Sequence, residues 1–270
     1  MVKGDHCSGC FWVYPFAYTV HEIFLNQSVM YKWQLTSLEA IAKSVFDFQG
    51  VMKMRETPNQ LILKGTTTVG VVCNDGVILS SDTRVTMGTF IAHKQGKKVY
   101  KIDDHIAMTI SGNVADAQRV VDILIANGQL YKINFGRPIP IKAASRLVAN
   151  LLFSSRYAPL IAQILIGGVD DTGSHVFALD PLGSLTEENC VATGSGSPVA
   201  YGVLEDRYQE GASIKELLPV VVHAVKAAMK RNTASGDSFD VSIINREGYR
   251  ELSDEEKKNI SKTVSETRRK

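Results

Sequence analysis

The sequence predicts an α+β chain in which two antiparallel sheets pack face to face between outer helix layers, an αββα sandwich. Three observations carry that expectation. Hairpin signals open the orderly part of the chain, helical patterns come in adjacent pairs, and no dinucleotide-binding or P-loop glycine motif is present to suggest alternating βαβ units.

The elements can be justified in order. The run TTTVGVVC meets VILSSDTRVT across the turn Asn74-Asp75-Gly76, and KKVYKI meets HIAMTIS across Asp103-Asp104. Both pairs are rich in β-branched and apolar residues, as strands require. After Gly112 the period changes: Val114, Ala117, Val121, Leu124 and Ile125 repeat at helical spacing up to Asn127-Gly128 or Tyr131. Ile139-Pro140 opens a second helix with Ala143, Ala144, Leu147, Val148, Leu151 and Leu152 on its apolar face, ahead of Pro159. Strands return in IAQILIGGV, SHVFALD and NCVATGS, separated by turns at 170–173 and 181–183. Ser197-Pro198 reads as an N-cap and first helical position, and Ser213-Ile214-Lys215-Glu216 as a capping box for a longer helix. FDVSIIN is the last strand expected, before a turn at Glu247-Gly248.

Composition narrows the function classes. The 270 residues hold 30 Lys+Arg against 28 Asp+Glu, a net charge of +2, which excludes nucleic-acid binding by bulk charge. No apolar run approaches the roughly 18 residues of a membrane span, so a soluble, non-membrane protein is expected. Cys7, Cys10, Cys73 and Cys190 are too few and scattered for a disulfide framework, which favours a reducing compartment. His6, Cys7 and Cys10 make half of a zinc site with no second pair, so neither metal nor cofactor is expected.

The chain divides near residue 54. Residues 1–53 hold ten of the 21 aromatics without a sustained period, and Met30, Met52 and Met54 are in frame, so an upstream start would account for this extension. Residues 54–65 read as an extended propeptide to be removed ahead of Thr66, 66–252 as the folded catalytic domain, and 253–270 as a charged tail, either a solvated helix or a frayed end.

The chemistry centres on Gly65-Thr66. Cleavage there would place an α-amine and a hydroxyl on one residue, so that a group with pKa near 8 could serve as base for its own nucleophile. Such a site needs a cation, which Lys98 can supply, and a carboxylate to hold it, which Asp82 can supply. The backbone at Ser111-Gly112, just before a helix, suits an oxyanion.

The runs GTTTVG, SSDTRVTMG, HKQGKKVYKID, MTISGNVADAQ, IGGVD, ATGSGSPVAYGVLEDRY and RNTASGDSFDVSII lie in that order between about Met54 and Leu252. Together they resemble a proteasome β subunit of the archaeal type. The resemblance implies an N-terminal nucleophile hydrolase fold, self-cleavage before Thr66, threonine-type endopeptidase activity on unfolded proteins, and a cytoplasmic location. It also implies heptameric β rings stacked with α-subunit rings in a 28-subunit α7β7β7α7 barrel served by a regulatory ATPase ring. Residue by residue, it makes Thr66 the nucleophile, Asp82 and Lys98 its charge pair, Gly112 the oxyanion donor and Arg84 a support; Ser195 and Ser235 become partners of the terminal amine. It lines the substrate pocket with Val85, Gly96, Tyr100, Ile110 and Val114, which implies cleavage after large hydrophobic residues.

One position departs from the pattern. Where the family usually shows Arg-Asp-x-x-Ser, this chain reads Arg231-Asn232-Thr233-Ala234-Ser235. Asparagine keeps an acceptor oxygen but lacks the charge, a deficit of about 1–3 kcal/mol that would slow the chemistry roughly 5- to 150-fold. A silent structural β subunit is therefore an alternative. An α-type ring subunit is opposed by the extended character of 55–65, and a nucleic-acid module by the scarcity of Lys and Arg in 1–53.

Overall fold

The computed structural model describes residues 65–267, all within one compact unit, Asn59–Lys270. The Cys7-x-x-Cys10 pair, the aromatic extension and residues 54–64 of the expected propeptide lie outside the described residues.

The chain order is β1 (Thr68–Cys73), β2 (Gly76–Asp82), β3 (Val85–Met87), β4 (Phe90–His93), β5 (Val99–Asp103), β6 (Ile106–Gly112), α1 (Val114–Phe135) and α2 (Ile141–Ser154). Then come β7 (Ala162–Asp170), β8 (Gly173–Leu179), β9 (Leu185–Glu187), β10 (Cys190–Thr193), α3 (Ser197–Arg207), α4 (Ile214–Arg231), β11 (Phe239–Asn245), β12 (Gly248–Glu251) and α5 (Asp254–Thr267). Two five-stranded sheets form, ordered β10-β1-β2-β11-β12 and β5-β6-β7-β8-β9, with every pairing antiparallel.

Alternation along the strands builds three apolar layers, because successive side chains point to opposite faces. On β6, Ile106, Met108 and Ile110 pack with α1 and α2, whereas Ala107 faces the other sheet. On β2, Ile78 packs with α4, whereas Val77 and Leu79 meet Leu165 and Val176 between the sheets. These layers make the predicted αββα sandwich.

Several boundaries differ from the sequence reading for local reasons. Helix α1 runs past Asn127-Gly128 to Phe135: the Asn127 amide donates to the Ile123 carbonyl, and Gly128 is buried. There the tertiary contact outweighs the cost of a helical glycine, about 1 kcal/mol. Helix α3 is capped by Gly196, one residue before the expected Ser197. The expected strand VILSSDTRVT breaks after Asp82, whose carboxylate accepts the Arg84 N–H at 3.1 Å, and a short hairpin of β3 and β4 follows. Strands β9 and β12 were not expected. Ser213 and Glu216 form the expected capping box, in which the Glu216 carboxylate accepts both the N–H and the hydroxyl of Ser213. The tail forms helix α5, whose Ile260 and Val264 pack against the α4 layer.

Candidate active site

The site lies at one end of the sandwich, where the start of β1, the end of β2, the entry to β5 and the β6–α1 junction converge. The chain leaves its ladders at Thr67 and Arg84, freeing their N–H groups for the Asp82 carboxylate. Asp82 Oδ1 accepts the Thr67 N–H at 2.9 Å and the Lys98 ammonium at 2.8 Å. Its Oδ2 accepts the N–H groups of Arg84 at 3.1 Å and Gly236 at 3.0 Å. Four donors thus hold a carboxylate that is wholly buried, which satisfies the requirement for burying charge. Lys98 is 7% exposed. Burial pushes its pKa down, and the Asp82 charge offsets this only in part. The Lys98 ammonium thus brings a positive charge, held by Asp82, to the wall of the cleft that Thr66 lines.

Thr66 is almost fully buried and lines a cleft with Lys98, Val85, Tyr100, Ile110, Gly112 and Val114. Its hydroxyl donates to the Gly65 carbonyl at 2.8 Å, so the hydroxyl stands beside the peptide bond at which the sequence reading expects cleavage. Gly65 is required by space: a Cβ on it would lie 1.7 Å from the Ala234 Cβ. Its N–H donates to the Thr86 hydroxyl at 3.2 Å. Gly112 ends β6 at φ +142°, and a Cβ there would meet the Ile161 carbonyl oxygen at 2.1 Å. Only glycine carries the chain through this corner. Helix α1 starts immediately beyond, capped by Asn113, whose side chain accepts the Ala115 N–H. The positive end of a 22-residue helix thus faces the cleft.

The loop 232–238 closes the other side. Ser235 Oγ lies 2.8 Å from Thr67 Oγ1, and the Asn232 amide donates to Ser195 Oγ at 2.6 Å. Arg84 ties this loop to β2: its guanidinium donates to Asp237 at 2.8 Å and to the Thr233 carbonyl at 2.9 Å. The bond to Asp237 raises the Arg84 pKa and lowers that of Asp237. It also holds Asp237 at φ 65°, a conformation that aspartate tolerates better than most residues.

Of the residues read from sequence, Thr66, Lys98, Val85, Tyr100, Ile110, Gly112 and Val114 line one cleft. Asp82 stands directly behind it. Gly96 does not line it: the residue sits behind Val85, where a Cβ would lie 2.3 Å from Val85 Cγ2, so it shapes the wall indirectly. Ser195 meets Asn232, and Ser235 meets Thr67. Sequence reasoning missed Thr86, Lys97 and Ala117 in the lining. Ala117 could have been found, since it follows Val114 by three residues on the same helix face. Asp237, partner of Arg84, carries no local signal because the two are 153 residues apart.

The two described cysteines are poorly suited to nucleophilic attack. Burial, with a contribution from Asp75, pushes the Cys73 thiol up to about 12, and burial also raises Cys190. Among the described residues no cluster of His, Cys, Asp and Glu could hold a metal ion, and no helix is long and apolar enough to cross a membrane.

Residues 62–244 match the model of the proteasome subunit family. The chain is 51% identical over 203 residues to a proteasome subunit beta of Methanosarcina barkeri, covering 75% of this chain and 96% of that one. It is 53% identical over 196 residues to the proteasome subunit beta of Methanocaldococcus vulcanius, covering 72% and 88%. The counterpart in Methanothermobacter thermautotrophicus is 50% identical over 195 residues, covering 72% and 93%. With the sandwich and the match along nearly the whole length of such relatives, the chain belongs to the proteasome subunit family, as a β subunit of the archaeal 20S type.

Proposed function

We propose that the chain is a threonine-type endopeptidase whose nucleophile, Thr66, is released by self-cleavage after Gly65. One observation carries this reading: Thr66, the buried Lys98–Asp82 pair and Gly112 at the head of α1 converge on one cleft. In the first reaction the Thr66 hydroxyl attacks the Gly65 carbonyl carbon. The C–N bond breaks as the acyl group passes to oxygen as an ester, which frees the Thr66 α-amine, and water then hydrolyses the ester to release the Gly65 carboxylate and restore the hydroxyl. In later turnovers that amine takes the hydroxyl proton as Thr66 attacks a substrate carbonyl, then returns it to the leaving amine. Lys98 favours alkoxide character, and the Gly112 N–H at the helix start serves the oxyanion. Residues 54–65 are the propeptide, and 66–252 the catalytic domain. Assembly into rings with other β and α subunits, fed by an ATPase ring in the cytoplasm, completes the reading.

The test is the intact mass and N-terminal sequence of the wild-type chain after assembly with its α subunit, with turnover of a hydrophobic peptide measured alongside. A chain beginning at Thr66 that cleaves the peptide is the expected result; assembled chains that keep Gly65 would overturn it. Gly65→Val is expected to slow processing about tenfold or more, because the added atoms collide with Ala234 and displace the junction from Thr66. A time course of the free N-terminus checks this.

The cleft wall supports preference for large apolar residues before the cleaved bond. Val85, Ile110, Val114 and Ala117 contribute aliphatic surface. The Tyr100 hydroxyl is tied to the Lys97 carbonyl at 2.9 Å, which leaves its ring for the cleft. The Lys97 ammonium is committed to Glu251 at 2.8 Å. Val114 is 42% exposed, so Val114→Phe can fill the cleft without disturbing the core. The variant should lose about tenfold in kcat/KM on Leu or Phe substrates relative to Ala substrates. Unchanged ratios, or wild-type preference for acidic residues, would refute the pocket.

A second reading, a silent structural β subunit beside an active sister, is favoured by the neutral Asn232 alone. The same N-terminal sequencing separates the two.

A further inference from the structure

The loop after α4 folds around Asn232. The Asn232 side-chain oxygen accepts the Ala234 N–H at 2.8 Å, and its backbone carbonyl accepts the Ser235 N–H at 3.2 Å. A backbone N–H can only donate, so the atom facing Ala234 must be the amide oxygen. The NH2 group therefore faces Ser195, with 2.6 Å between Nδ2 and Oγ. Ser195 is an acceptor in that bond, and its one hydroxyl hydrogen is left to donate elsewhere. Its oxygen stands over the cleavage junction, 2.9 Å from where a Gly65 Cβ would lie. The other hydroxyl of the site, on Ser235, is engaged by Thr67 Oγ1.

We propose that Asn232 orients Ser195 as a hydrogen-bond donor to the Thr66 α-amine, keeping that amine neutral and proton-accepting to lower pH than a carboxylate at position 232 would allow. This deepens the reading of Thr66 as nucleophile and rests on it. A donor directed at the amine lone pair stabilises the neutral form, whereas an acceptor directed at its N–H groups stabilises ammonium. A carboxylate at 232 would keep one oxygen on the Ala234 N–H and turn the other onto Ser195. Ser195 would then donate to that oxygen and present lone pairs to the amine, and the negative charge would act in the same direction. Asn232→Asp thus reverses the sense of one hydrogen bond with almost no change of shape.

The other charged groups on the elements meeting here are common to both forms. They are Asp82 and Lys98, Lys97 with Glu251, Arg84 with Asp237, Asp116 in the first turn of α1, and Lys230 and Arg231 in the last turn of α4. The difference between the two forms therefore isolates position 232. A neutral amine at lower pH is also a weaker base, so this chain sacrifices some rate at its plateau for activity that persists further into acid.

The experiment compares assembled particles carrying the wild-type chain, Asn232→Asp, Ser195→Ala and the double variant. The Thr66 amine is titrated by its rate of labelling with acetic anhydride against pH, read as the mass of the N-terminal peptide, and kcat/KM on a short hydrophobic peptide is profiled in parallel. The labelling midpoint and the acid limb of kcat/KM should both rise by about one pH unit in Asn232→Asp. In the Ser195→Ala background the same substitution should shift them by less than half as much. Equal midpoints in wild type and Asn232→Asp would overturn the inference. So would an undiminished shift without Ser195, because the carboxylate would then be acting through space. Normally processed particles with either result remove this inference alone, whereas wild-type particles that retain Gly65 remove the proposed reaction together with it.

Discussion

Thr66→Ala is expected to assemble with Gly65 still attached and to lose peptide cleavage by at least about a thousandfold, because one hydroxyl serves both reactions. The fold should survive the change. The Thr66 side chain is nearly buried, its one hydrogen bond runs to the neighbouring Gly65 carbonyl, and none of the three core layers includes it. A loss of activity with unchanged assembly and melting temperature therefore reports chemistry rather than folding. Thr66→Ser separates the hydroxyl from the methyl. It keeps the nucleophile but loses the β-branch that restricts χ1, so processing should persist at a reduced rate. Intact mass and steady-state turnover read both variants. Processing of the Thr66→Ala chain would move the nucleophile elsewhere, and Thr67 is poorly suited to replace it. Its hydroxyl is engaged by Ser235 and its N–H by Asp82, which bind it into the wall of the site.

How much of this arrangement was legible in the sequence depended on whether the deciding interaction was local. The two long hairpins, β1–β2 and β5–β6, are announced by turn residues between β-branched runs, and both appear where expected. The helix pairs follow from their periodicity. Helix α1 overran its expected end because Asn127 and Gly128 look like a stop, and only packing makes them tolerable. Strand β9 was unreadable for a related reason: three residues are too few to show a period, and Leu185–Glu187 is fixed by its pairing to β8. The site divides in the same way. Thr66, Asp82, Lys98 and Gly112 could be named from residue type and order, whereas the sense of the Asn232–Ser195 bond could not. It is set by which atom of a side chain meets the Ala234 N–H, and sequence alone does not record that.

The Asp82–Lys98 pair should show opposite weaknesses when each partner is removed. Lys98→Met leaves Asp82 with three backbone N–H donors, from Thr67, Arg84 and Gly236, so its charge stays solvated by the protein. Stability should fall by no more than about 1–2 kcal/mol, while self-cleavage and turnover fall about a thousandfold for want of the cation beside the nucleophile. Asp82→Asn should do the reverse to the fold. Its NH2 group must face donors that now meet no acceptor, and the Lys98 ammonium is left buried without a counter-charge. The expected cost is about 3–5 kcal/mol, seen as a large drop in the denaturation midpoint. Burial already holds the Lys98 pKa down, so the unpaired lysine should respond by losing its proton. The folded form would then bind fewer protons than the unfolded form between the two pKa values of Lys98. The Asp82→Asn chain should consequently gain stability as pH rises through that window, more steeply than wild type. Denaturant melts of both variants at several pH values, with N-terminal sequencing, test the two halves together. Equal destabilisation by the two substitutions would mean that the three N–H groups do not sustain the carboxylate, and that the ammonium is its main support.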